Sequence, residues 1–364
     1  MLGVLVLLLV GCSTPPAKRW PERSPTEVRD QVFSLLPAHL ADRREWAEDI
    51  QSAFAHLALL PSTDNLCAAL AVIEQETGYR ANPEVPGLPR IARREIERRA
   101  AELKIPALAV TAVLKLPSGN GQSFEQRLAG LRTEKDMSDL FEELVGRVPL
   151  GQTLFAAANP VRTGGSMQVS IAFAEQHVRE NGYPYGTGLS VRNEVFSRRG
   201  GVYFGIAHLL QYPASYTRHI YRYADFNAGW YASRNAAFQQ ALSRISGVRL
   251  AADGDLRLPD RGVFGRRVAR TEQVALDQAN ALGLSEARIR RDLALERSID
   301  FEQTDTWRAV FARADAEAGR PLPRAVLPQI RLSGPKISRP LTTAWFANRV
   351  QTRYQQCINR AYAR

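Results

Sequence analysis

Cysteine is scarce, with three in 364 residues. The five histidines (His39, His56, His177, His208 and His219) show no ligand-like spacing with those cysteines, so no metal centre is expected, and no cofactor. There is no internal repeat and no low-complexity tract, which argues against a solenoid or a disordered chain. No apolar run is long enough to cross a bilayer as a helix. No long run of basic residues marks a nucleic-acid patch, and no nucleic-acid partner is expected. What is present is a 45% hydrophobic chain with a formal net charge of +11. Its arginines are scattered, as at Arg93, Arg94, Arg98 and Arg99. Such spacing reads as a solvated basic surface that favours anionic partners such as lipid headgroups or cell-wall polymer.

The N-terminus is more specific. Met1 to Val10 is uncharged and mostly Leu and Val, a short apolar stretch that reads as a secretory signal. It ends in Leu9-Val10-Gly11-Cys12, followed by Ser13. These four residues resemble the lipobox of bacterial lipoproteins. The resemblance implies cleavage before Cys12 and acylation of Cys12. Ser13 in place of the inner-membrane retention aspartate implies outer-membrane sorting, with the periplasmic face preferred to the cell surface. No Lys or Arg precedes the apolar run, a departure that an upstream start codon would account for. With Cys12 assigned to lipid, Cys67 and Cys357 either pair in an oxidising compartment or stand as two buried thiols. A bond between them would tie the C-terminal helix to the core.

Periodicity predicts a mainly α chain. Residues 13–26 are proline-rich and read as a tether. A helical pattern runs from Thr26 to about Leu60. Pro61-Ser62-Thr63-Asp64 then offers a cap for a helix over Asn65–Thr77. Asn82–Pro89 reads as a loop, and helices follow over Ile91–Lys104 and Phe124–Val145. Another is expected over Ser166–Asn181. Gly182–Gly205 reads as a hairpin or loops. Helices resume over Tyr203–Tyr221, broken near Pro213, and over Ala232–Ser246, closed by Gly247. Beyond it, Val248–Val263 reads as a hairpin or irregular turn. Helices are then expected over Glu272–Leu282, Ser285–Arg297, Thr304–Gly319 and Thr343–Tyr362. The expected units are residues 27–247, with an insertion at about 82–160, and a C-terminal helical extension over 248–364.

Three segments carry candidate chemistry. In the first, Glu76 continues the apolar face set by Leu66, Leu70 and Ile73, while Glu74 points away. A carboxyl group at the end of an apolar stripe is partly desolvated. Desolvation favours the protonated form, which a general acid needs near neutral pH. Gly78 ends the helix and lets Glu76 face a cleft. The second segment, Gly165-Ser166-Met167-Gln168, is expected at a helix start. The third, Asp225-Phe226-Asn227-Ala228-Gly229, is expected in a turn before a helix.

In this order the segments resemble the motif series of lytic transglycosylases in the lysozyme-like superfamily: Glu-Ser-Gly-Phe, Gly-Leu-Met-Gln, then Ala-Tyr-Asn-Ala-Gly. The resemblance covers roughly residues 60–245 and implies a lysozyme-like helical domain. It implies Glu76 as the catalytic acid/base and Thr77 in the place of a substrate-contacting serine. It implies that Met167 and Gln168 line a sugar groove, with Phe226 and Asn227 opposite Glu76. Ser166 replaces the leucine, Phe226 replaces the tyrosine, and the gap between the first two motifs is long. The whole chain also resembles a family of uncharacterised Gram-negative lipoproteins known only as a domain of unknown function.

The resemblance implies peptidoglycan glycan strands as substrate. One glutamate would cleave the MurNAc–GlcNAc bond without metal or cofactor, leaving a 1,6-anhydro ring. A water-using muramidase would need a second carboxylate, and Asp225 is the nearby candidate, although a structural bond suits it better. Tyr183, Tyr185, Tyr203, Trp230 and Tyr231 are aromatics that either line a glycan groove or pack in the core. The other reading from these residues is a lipoprotein that binds glycan or an envelope partner on the same fold without turnover. No protein partner is specified.

Overall fold

The computed structural model describes residues 23–147, 159–186, 188–258, 267–332 and 340–363. The signal-like stretch, Cys12 and most of the tether lie outside the described residues. The architecture is mainly α. Among the described residues the short strands form two two-stranded antiparallel ribbons.

Helices α1 (Pro25–Leu35) and α2 (Arg43–His56) pack against each other at the start of the first core. A capping box at Ser24 and Glu27 fixes the entry of α1. Thus the pattern expected from Thr26 to Leu60 is two helices, broken at Leu36. Helix α3 (Thr63–Thr77) starts where Ser62 accepts from the Asn65 amide. Leu66 through Ile73 are all buried, so α3 is the central helix of this core rather than a one-sided surface helix.

The segment expected as an insertion is a small helical layer. It holds α4 (Leu88–Glu102), α5 (Ala107–Leu114), α6 (Phe124–Ala129) and α7 (Glu134–Arg147). The single helix expected over Phe124–Val145 is interrupted at Gly130, and α5 had no counterpart in the sequence reading. The ribbon β1 (Thr163–Gly164) and β2 (Val169–Ser170) follows, and α8 (Ile171–Asn181) begins only after it. Short α9 (Val191–Val195) and α10 (Arg198–Leu210) fill much of the stretch read as hairpin or loops. Then come α11 (His219–Ala228) and α12 (Ala232–Ser246), the latter closed by Gly247 at φ 69°.

A second, smaller core is built from the later part of α12 together with α13 (Arg270–Asp277), α14 (Ala279–Leu282), α15 (Glu286–Leu293), a 3-10 turn (Ile299–Gln303) and α16 (Asp305–Ala318). Phe238 stacks on Trp307 with ring centres 5.9 Å apart, and Phe301 meets Phe238 edge-on at 5.2 Å. Helix α12 belongs to the second core and abuts α11 of the first. Its buried Arg234 donates to the carbonyls of Ser298 and Glu296, at 2.7 and 2.6 Å.

The last helix of the C-terminal region rejoins the first core. The ribbon β3 (Arg331–Leu332) and β4 (Leu341–Thr342) leads into α17 (Thr343–Tyr362), which returns to the first core. Phe346, Ala347, Val350 and Cys357 are buried there against α3 and α11. The return is fastened three times along α3. Cys67 and Cys357 form a disulfide, Tyr354 donates to Asp64 at 2.7 Å, and Arg353 lies 3.5 Å from Glu74. Of the two states left open by the sequence, the paired one is present.

The disulfide closes a loop of sequence separation 290. Such a link mainly restricts the unfolded chain, with a typical effect of about 2–5 kcal/mol. Cys67→Ser, or full reduction, is expected to lower the midpoint of thermal unfolding by several degrees while leaving the helical circular dichroism at 25 °C intact. Equal midpoints with and without reductant would contradict this role.

Candidate active-site groove

Helix α3 ends one residue beyond Glu76. Thr77 is its last residue, and Gly78 takes the left-handed conformation at φ 58°. Tyr79 also has positive φ, and its side chain turns back into the core. Its hydroxyl donates to Leu70 at 3.3 Å and its ring meets Trp46 edge-on at 5.8 Å. The chain thus leaves the helix axis sharply, and half-buried Glu76 lines a groove of about 1170 Å³.

Thr77 does not line that groove. It is buried, and its hydroxyl donates to the Ser166 carbonyl at 2.9 Å, with the Ile73 carbonyl at 3.2 Å. The side chain placed by resemblance against substrate instead ties α3 to the turn between β1 and β2. That turn is seated on a glycine face of α10. A Cβ on Gly165 would lie 2.0 Å from the Val195 carbonyl oxygen, one on Gly201 2.8 Å from the Ser166 nitrogen, and one on Gly205 2.3 Å from the Met167 sulfur. Met167 is accordingly a core residue with no exposed surface, not a wall of the groove. It sits in the turn between β1 and β2 rather than at a helix start, and α8 begins only at Ile171. Gln168 does reach the groove. Its φ of 51° is a conformation few non-glycine residues adopt. Its amide nitrogen donates to Glu134 at 3.0 Å, which joins the α4–α7 layer to the site.

The third segment is not a turn. Asp225 to Ala228 form the last turn of α11, and Gly229 at φ 110° ends it. Phe226 and Asn227 line the groove, and the side-chain Oδ1 of Asn227 accepts from the Thr343 hydroxyl at the start of α17, at 3.1 Å. Asp225 faces inward and is fully buried. It accepts from the hydroxyls of Tyr212 (2.9 Å) and Tyr216, and from the amides of Tyr231 (3.1 Å) and Ser233 (2.7 Å). Burial pushes its carboxyl group up, and those donors oppose the shift. It cannot reach a substrate as a second carboxylate; it fixes the wall formed by α11, Trp230 and the start of α12.

Several groove residues were missed by the sequence reading. Phe173, Gln176, His177 and Glu180 come from one face of α8, and His208, Gln211 and Tyr212 come from the end of α10. The aromatics form a continuous wall. Phe173 meets His208 at 4.7 Å, His208 stacks on Trp230 at 5.7 Å, and Trp230 stacks on Tyr212 at 5.1 Å. The Trp230 indole donates to the His208 carbonyl at 2.7 Å. Enclosure pushes the His208 imidazole down to about 4, so it is neutral at pH 7, and its Nδ1 is buried without a hydrogen-bond partner. Burial also lowers His177, which meets the Tyr203 hydroxyl at 3.3 Å. Of the aromatics noted in the sequence, Trp230 and Tyr231 line the groove. Tyr183, Tyr185 and Tyr203 form a separate cluster with Phe204.

Glu76, Gln168, Phe226 and Asn227 therefore share one groove. Its wall of ring faces and amide groups suits a neutral polyhydroxylated chain, which stacks apolar sugar faces and hydrogen-bonds at its edges.

A family model described as "Protein of unknown function (DUF1615)" matches residues 39–360. The chain is 50% identical over 355 residues to an Escherichia coli (strain K12) protein titled "Uncharacterized protein YaiW"; the match spans 97% of this chain and 96% of that protein. No solved structure matches it.

Gly165→Ala combines positive φ with a backbone clash and is expected to cost about 3 kcal/mol or more. Gly319→Ala, left-handed at φ 65° but facing open space, is expected to cost about 1 kcal/mol; equal unfolding midpoints for the two variants would refute the glycine seat. His208 has a folded value below its unfolded one, so the unfolded chain binds the extra proton. Its contribution is present above pH 6.5 and is lost as pH falls toward 4, on the order of 3 kcal/mol. Thermal midpoints measured between pH 7 and pH 4 should fall less steeply in His208→Gln than in the unmodified chain.

Proposed function

The chain belongs to the DUF1615 family, and from the groove it carries we propose that it is a peptidoglycan-directed lytic transglycosylase on a lysozyme-like helical fold. The carrying observation is that Glu76, Gln168 and Asn227, from three separate segments, line a single aromatic-walled groove. The proposed setting is the outer membrane, with lipid on Cys12 and residues 13–26 as the tether.

In this reading the glycan lies along Phe173, Trp230 and Tyr212, with Gln168 and Asn227 offering amide groups to its edges. Glu76 gives its proton to the glycosidic oxygen, and the C1–O bond of MurNAc breaks. The substrate's N-acetyl group stabilises the positive anomeric carbon. Glu76, now a carboxylate, removes the proton from the muramyl 6-hydroxyl. That oxygen bonds to C1 and closes the 1,6-anhydro ring. The proton leaves and returns to the same carboxyl group, so no water is consumed. The inaccessibility of Asp225 supports this one-carboxylate route over a muramidase that uses Asp225. Glu180 lines the groove too, held by Gln176 at 2.8 Å, and is assigned a binding role.

A second reading rests on Phe226, which has no hydroxyl group: the groove binds glycan without cleaving it. Incubation of the non-acylated chain with purified sacculi separates the two. The transglycosylase releases anhydromuropeptides, Glu76→Gln lowers release by at least about 100-fold, and Glu180→Gln retains it. Sacculus binding without release selects the binder. No binding and no release overturns both.

A further inference from the structure

Away from the groove, the α4–α7 layer ends in an apolar tip. Large apolar side chains are mostly covered in this protein, yet four exposed ones fall within residues 103–116: Leu103 (53%), Ile105 (39%), Leu108 (82%) and Leu116 (49%). They flank or belong to α5, whose sequence Ala-Leu-Ala-Val-Thr-Ala-Val-Leu contains no charge. Only Val110 and Leu114 of α5 are buried. Between α4, α5 and α7 lies an apolar pocket of about 180 Å³. Lys104 and Lys115 bracket the segment. Neither makes an ion pair among the described residues, whereas the nearby Arg98 and Arg99 are matched by Glu95 and Glu102.

We propose that the tip formed by residues 103–116 inserts into one leaflet of an anionic lipid bilayer, with Lys104 and Lys115 at the headgroups. The charge pattern selects this occupant. Two unmatched ammonium groups at the margins of an uncharged segment suit a plane of phosphates above hydrocarbon, and their alkyl stems can lie along the apolar side chains. The dimensions agree. The 8 residues of α5 rise about 12 Å, less than half of a hydrocarbon core of about 30 Å, so the element enters one leaflet and does not span. No helix among the described residues is long and apolar enough to cross a membrane. This contact is separate from acylation at Cys12 and from the groove.

The test uses the chain beginning at Ser13, which keeps both cores, the disulfide and every described residue but carries no acylation site. Co-sedimentation is measured with vesicles of phosphatidylethanolamine and phosphatidylglycerol, and with vesicles of phosphatidylcholine alone. The chain is expected to partition onto the anionic vesicles. The double variants Leu103→Asp/Leu108→Asp and Lys104→Glu/Lys115→Glu should each weaken partitioning by about tenfold or more. Because these side chains are exposed, the thermal midpoint should not move. Equal uptake by phosphatidylcholine vesicles, unchanged uptake of the leucine double variant, or no uptake by either vesicle overturns the proposal.

Discussion

The groove depends on one buried hydrogen bond, from the Thr77 hydroxyl to the Ser166 carbonyl. It joins the end of the helix that carries Glu76 to the ribbon that carries Gln168. Such a bond contributes about 1 kcal/mol net to the stability of a folded protein, but with the carbonyl buried its loss leaves an unsatisfied group at a cost of roughly 1–3 kcal/mol. The bond can form only because the ribbon sits so close to α10. Gly165, Gly201 and Gly205 remove the Cβ atoms that would hold the two backbones apart. Three glycines and a threonine thus set the spacing between the two sides of the site without touching a ligand themselves.

The opposite wall is held from farther away in sequence. Asn227 is bonded by Thr343, and α17 is fastened to α3 by the Cys67–Cys357 disulfide and by the Tyr354–Asp64 bond. The C-terminal helix is therefore part of the frame on which Glu76 stands, and residues 343–362 belong with the first core. Periodicity showed α17, with both ends correct, and it also showed α12 and the capped start of α3. It could not show where α17 packs. An amphipathic stripe says that a partner exists but not which one, and the partner here lies 290 residues away at the disulfide.

Two of the elements that differ from the sequence expectation, α10 and the Met167 segment, share a physical cause in their close packing. Gly200, Gly201 and Gly205 lower intrinsic helix propensity, so the first turn of α10 reads as loop and a helix is expected only from Tyr203, yet tertiary packing selects these glycines. The spacing of Gly201 and Gly205, one helical turn apart, was the available sign of close packing. The Met167 segment looked like a helix start because Ser166 and Gln168 suit one; the backbone contact with α10 decides otherwise. Among groove residues, Glu76, Gln168, Phe226 and Asn227 came from ordered motifs. Phe173, Gln176, His177 and Glu180 belong to no motif. Their positions i, i+3, i+4 and i+7 do place them on one helix face, and its mixture of aromatic, amide and acid is unusual for a core stripe.

Rigidity bears directly on the single-carboxylate reaction proposed for this groove. A reaction in which one group both gives and takes a proton requires two substrate oxygens to be presented in turn to the same place, so the walls that hold the sugar must not drift. Two of the groove residues, Gln168 and Tyr231, hold positive φ, a conformation that costs a non-glycine residue on the order of 1 kcal/mol or more and persists only where surrounding contacts enforce it. Those contacts are present. Gln168 is held by Glu134, and the Tyr231 amide by Asp225, which also binds Tyr212 and Tyr216. The buried aspartate fixes the position of the wall, and its inaccessibility and the fixed geometry of that wall have the same origin.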